Sequence, residues 1–290
     1  MPRTNHTDIY SSFSIFYKSL RCLGIVPLSF DSEKRQFTLR RKCRLLGIVI
    51  VLCIISLQVF LYSFCEKIYP YLLSHVLIGT DWTVVFALLL IYFNLSSTKI
   101  VNLLSEIDTY DRNVNFSYSS ERLLRKYFFL SCTHIIIFMS TDLIYRRYSS
   151  GNGSSICLIS SYLSSSFNLL TRLLFVFFIK EIQIRFEYLG KVTNSKLLLP
   201  KLIQLGEICR KLNDFYNFPL LRNFGKLFIW LTMDIVHVVL YEEGSTEKFF
   251  VVIMSCSWWV LNFCEVMLIV QPVEALYSKV SIWWFNVDKK

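Results

Sequence analysis

The chain has 290 residues, of which 54% are hydrophobic and 16% aromatic, with a mean hydropathy of +0.46 and a formal net charge of +10. That composition excludes an ordinary soluble domain and a disordered chain, and the length leaves little room for an extramembrane domain beside a membrane bundle. Nine cysteines without a CxxC pair, and four histidines at no metal-binding spacing, argue against a disulfide scaffold and a zinc site.

Taken in chain order, residues 1–44 form a leader that is polar or broken by charge and ends on Arg40, Arg41, Lys42 and Arg44. No cleavable signal is visible in it, so the first apolar run is expected to act as a signal anchor. Six apolar runs follow, at 45–64, 76–95, 127–144, 156–179, 220–240 and 249–270. Each is close to the roughly 20 residues that cross a bilayer core of about 30 Å as a helix. The predicted fold class is an all-α membrane protein with six transmembrane helices, divided into a cytoplasmic leader (1–44), a polytopic helical bundle (45–270) and a cytoplasmic tail (271–290).

Orientation follows from basic residues, which are retained on the cytoplasmic side. With the N-terminus inside, that side holds 24 of the 31 Lys and Arg residues. Both termini are therefore predicted to be cytoplasmic. The net charge then reflects an inner face beside anionic lipid, with no need for nucleic acid.

The inner loops, 96–126 and 180–219, are long and are expected to hold helices. Ile100, Leu103, Leu104, Ile107 and Tyr110 make one apolar stripe in the first. Leu202, Leu205, Cys209, Leu212 and Tyr216 follow a heptad-like rhythm in the second, with Pro200 suited to a first turn. This second helix either extends the fifth span inward to pack on neighbours or sister subunits, or rests on the membrane or on its own bundle. On the outer side, Asn152-Gly153-Ser154 is a glycosylation acceptor pattern, and Cys65 and Cys157 lie where an oxidising lumen could join them.

Ionisable groups at lipid depth are costly and so are functional candidates. In the inner half, Arg172, Lys226 and Glu265 are expected to form a structural ion pair, and Arg222 to snorkel to the interface. In the outer half, Asp234 and His237 share a helical face with Trp230 nearby, while Asp81 and Trp258 lie at comparable heights on other spans. Asp81, Trp230, Asp234, His237 and Trp258 are therefore the candidate ligand-binding residues of an outward-open hollow for a small polar or amphipathic molecule. The other reading of the same residues is an interfacial aromatic belt with acids paired locally. No catalytic motif is present: GxSxG, HExxH, P-loop and GxGxxG are all missing, and no enzyme, cofactor or metal is expected.

Three stretches carry a family resemblance. Leu20 to Pro27 (Leu-Arg-Cys-Leu-Gly-Ile-Val-Pro) lies near the start of the chain. Ile203 to Leu212 continues through Asn213–Pro219 into Leu220-Leu-Arg-Asn-Phe-Gly225. Ser257 to Asn262 (Ser-Trp-Trp-Val-Leu-Asn) leads to Gln271–Ala275. Together they resemble the insect gustatory receptor family of seven-helix chemoreceptors with a cytoplasmic N-terminus. The family's seventh-helix motif, Thr-Tyr, five apolar residues and Gln, is not found, so the resemblance is to a divergent or C-terminally truncated member.

The resemblance implies a tetrameric ligand-gated cation channel with a ligand pocket in the outer half of each subunit. It further implies a pore lined by the seventh helix and a tetramer held by the inner parts of the later helices. The expected function is thus a gustatory-type receptor in the plasma membrane of a sensory neuron. Its expected partners are a small-molecule tastant, the lipid bilayer and other chemoreceptor subunits in a homo- or hetero-oligomer. The alternative is a non-conducting relative that modulates or scaffolds other receptor subunits. A membrane enzyme or transporter is a third reading, opposed by the absence of internal repeats and broken helices.

Overall fold

A computed structural model of the chain describes residues 9–22, 26, 28–31, 36–39, 41–68, 86–114, 116, 125–130, 132–133, 136–137, 139–140, 155–191, 195–240 and 246–287. Within them the chain is helical except for one short hairpin. Helix α1 (Ile9–Cys22) places Ile9, Phe13, Phe16 and Leu20 at intervals of four, three and four residues, and all four are buried. Strands β1 (Ser29–Asp31) and β2 (Gln36–Thr38) pair antiparallel, with Phe30 opposite Phe37. Phe37 packs edge-on against Phe13, with ring centroids 5.0 Å apart, and the Tyr17 hydroxyl donates to the Leu28 carbonyl at 2.9 Å. The leader therefore contributes a helix and a hairpin to the core, where its charged sequence suggested only a polar lead-in.

Helix α2 (Arg41–Ile68) covers the first expected span. Helix α3 (Phe86–Leu95) covers the C-terminal half of the second and is followed at Ser96 by α4 (Ser97–Val114). The two are bent by 49°. Ile100, Leu103, Leu104, Ile107 and Tyr110 of α4 are all buried, as their spacing predicts. Helical residues between 125 and 140 fall on the third expected span.

The bundle is organised around α5 (Ser155–Lys191), which packs against α1, α2, α6 and α7. From Phe167 to Ile179 every position except Leu170 is buried, the pattern of a helix enclosed on all sides. Helix α6 (Ser195–Leu240) joins the second inner loop to the fifth expected span as one helix, and α7 (Thr246–Val287) runs through the sixth and on beyond residue 270. Leu202, Leu205, Leu212 and Tyr216 of α6 are buried, and the helix packs against α4 and α5. The stretch takes one feature from each of the two placements left open: it extends the fifth expected span as one helix, and it packs on its own bundle.

Surface character changes along the helices. The buried cluster gathers α1, α4, the Phe167–Leu189 part of α5 and the Leu202–Tyr216 part of α6. Elsewhere, α2 exposes Leu45, Val49, Leu52 and Phe60, and the later part of α6 exposes Phe228 (71%) and Val239 (72%). Large apolar side chains exposed in such numbers suit lipid better than water.

By length and apolarity, no single helix among the described residues is sufficient to cross a membrane. The bent pair Ala87–Leu95 and Ser97–Val114 satisfies those criteria together, and Leu45–Leu57 is a shorter apolar helix. Described helical residues fall on each of the six expected spans, and in the longer helices apolar and charged stretches share one continuous backbone, as the apolar run 173–179 and Lys180 and Arg185 do on α5.

Candidate functional site

The most connected polar group in the described structure lies between α4 and α5. Arg185 is a position on α5 where burial would favour an apolar residue, its side chain being only 2% exposed. Its Nε and Nη2 donate to the two Asp111 carboxylate oxygens at 2.7 and 2.5 Å, a bidentate fork onto α4. Its Nη1 donates to the Glu181 carboxylate at 2.7 Å and to the Glu181 carbonyl at 2.6 Å, one helical turn back. The Phe116 ring lies 5.0 Å from the guanidinium carbon, within the range of a cation–π contact.

One buried cation thus serves two carboxylates from two helices. Burial works against the Arg185 charge, but Glu181 and Asp111 outweigh it and hold the guanidinium above its ordinary value. Burial pushes the Asp111 carboxyl up to about 6, against the pull of Arg185 and with a further upward push from Glu181 and Asp108. Burial likewise raises the neighbouring Tyr110 phenol. The arrangement ties α4 to α5 by charge. Breaking it by removing one member is far more damaging than its net contribution suggests, because the remaining charge stays buried.

A second polar group sits where α5 meets α6. Arg222 Nη1 donates to Asn168 Oδ1 at 2.5 Å and to Asn223 Oδ1 at 3.3 Å. Arg172 is buried one turn along α5, close enough for the charges of Arg172 and Arg222 to interact. Arg222 therefore turns into the bundle instead of snorkelling to the interface.

The structure brings only part of the sequence-predicted site into view. Trp230, Asp234 and His237 lie on α6 and Trp258 on α7, but their side chains are outside the described residues, as is all of Asp81. Lys226 lies on α6 and Glu265 on α7, again with side chains outside the described residues, so the expected partners of Arg172 are too. Asn152 falls outside them as well, and so do the side chains of Cys65 and Cys157. Among the described residues no group of three or more His, Cys, Asp or Glu could hold a metal ion.

Asp111, Glu181 and Arg185 lie outside the six expected spans, so the cost of charge at lipid depth does not single them out in the sequence. The Glu181–Arg185 spacing of four residues was visible on one helix. Asp111, distant in sequence, gave no local signal. Comparison with known proteins adds one match: a family model described as 7tm Chemosensory receptor covers residues 13–198. No curated protein matches the chain.

Proposed function

The chain belongs to the 7tm chemosensory receptor family, and from that premise we propose that it is a gustatory-type receptor subunit of the plasma membrane. In this reading it forms part of a ligand-gated cation channel that detects a small molecule. With six spans and a cytoplasmic N-terminus, the Asp81, Trp230, Asp234, His237 and Trp258 group is on the outer side, as the ligand pocket. The Asp111–Arg185–Glu181 group is then on the inner side.

The observation that best supports this reading is the continuity of α6 from Ser195 to Leu240. The same helix carries Trp230, Asp234 and His237 near one end and the buried Leu202, Leu205, Leu212 and Tyr216 near the other. A ligand that prefers one arrangement of the outer end biases the inner end by that difference in affinity, and allosteric couplings of this kind are typically about 1–3 kcal/mol. The exposed apolar residues of α2 and the later part of α6 suit a lipid-facing or subunit-facing surface.

The test is the response of an assembled receptor containing the Asp234→Asn or His237→Ala chain. The pocket reading expects a right-shifted or lost response with surface expression unchanged. If both variants leave dose-response curves where they were, the assignment of the pocket fails.

A further inference from the structure

Helix α6 contains Pro219 at the join between its buried inner part and its expected span. Proline has no amide hydrogen, so the carbonyl four residues earlier loses its helical donor. Here that carbonyl belongs to Phe215. In the structure the Tyr92 hydroxyl, at the end of α3, donates to the Phe215 carbonyl at 2.5 Å. A side chain distant in sequence supplies the bond that the proline removes.

Tyr92 is fitted to that place by more than one contact. Its ring stacks on Phe215, with centroids 5.9 Å apart and planes at 25°, and lies 5.4 Å from the Phe218 ring. It also lies one turn before the bend between α3 and α4. The Ser96 amide donates to the Tyr92 carbonyl at 2.8 Å, and α4 sets off from Ser96 at 49° to α3. For Pro272 on α7, the freed carbonyl is that of Leu268, and no side-chain donor meets it among the described residues.

We propose that Tyr92 is a clip that closes the gap Pro219 leaves in the hydrogen bonding of α6 and ties it to the α3–α4 bend, so that forming or releasing this one bond sets how stiffly the two ends of α6 move together. Its role in gating rests on the receptor reading above. Its role as a clip does not. Tyr92 is a positioning residue in this scheme: it acts on the ligand end only through α6.

The arrangement has a signature that simple packing lacks. With Pro219 replaced by alanine, position 219 regains an amide hydrogen that satisfies the Phe215 carbonyl, and the Tyr92 hydroxyl becomes redundant. The experiment is hydrogen–deuterium exchange on the full chain in lipid nanodiscs, without ligand, following amides of residues 212–224. Four proteins are compared: wild type, Tyr92→Phe, Pro219→Ala and the double variant. Tyr92→Phe keeps the stacked ring and removes only the hydroxyl. It is expected to speed exchange roughly fivefold, the factor that a net hydrogen-bond contribution of about 1 kcal/mol represents. The same substitution in the Pro219→Ala background is expected to change nothing. Equal acceleration in both backgrounds, or none in the wild-type background, overturns the clip. Because no stimulus is involved, a chain that passes this test and yet alters no receptor response refutes the receptor reading while leaving the clip intact.

Discussion

Replacing Arg185 with methionine keeps much of the side-chain volume and removes the guanidinium that joins α4 to α5. The Glu181 and Asp111 side chains, 5% and 15% exposed, then face each other without the cation that links them. Removing one partner of a buried ion pair costs about 3–5 kcal/mol. At about 2–4 °C per kcal/mol for a chain of this size, the thermal unfolding midpoint in nanodiscs is expected to fall on the order of 10 °C at neutral pH. Acid should relieve the defect, because the Asp111 carboxyl, already at about 6 in the intact network, rises further once Arg185 is gone. Protonating it removes one of the two like charges. The deficit should therefore shrink as pH is lowered to about 5, and Asp111→Asn added to Arg185→Met should recover part of it at neutral pH. A variant that unfolds with wild type at neutral pH, or whose deficit is the same at both pH values, refutes the network as described.

In the otherwise intact chain, Asp111→Asn should flatten the pH profile of stability. The folded carboxyl lies at about 6 against an ordinary 3.8, so its contribution is present below that lower value and is lost as pH rises through about 6, by up to about 3 kcal/mol. Thermal unfolding across that range reads it. Leu104→Ala, at a fully buried position of α4, should cost about 2–5 kcal/mol. Val239→Ala, on the exposed apolar face of α6, should stay within about 0.5 kcal/mol by the same assay. Glu106→Ala removes the 2.5 Å ion pair with Lys211, whose members are 34% and 47% exposed, and should cost less than about 1 kcal/mol.

Periodicity made the helices of the two long connecting segments legible: the Ile100–Tyr110 stripe and the Leu202–Tyr216 stripe both face the core, because a 3.6-residue repeat permits one apolar side. The same signal was present in Ile9, Phe13, Phe16 and Leu20, but the surrounding charges hid it. Arg222 was misjudged because depth alone does not say whether a polar partner waits inside, and Asn168 does. Contacts such as Tyr92 with Phe215, or Asp111 with Arg185, join residues far apart in the chain and leave no trace in local spacing. The residues proposed for the ligand pocket were legible only as types at similar heights, since whether they converge depends on how separate helices pack.

The most direct measurement is whole-cell cation current from cells expressing this chain together with another chemoreceptor subunit, challenged with a panel of small polar and amphipathic molecules. The account predicts a stimulus-evoked current that requires this chain and is reduced by Asp234→Asn. Currents identical with and without the chain, for every stimulus, contradict it.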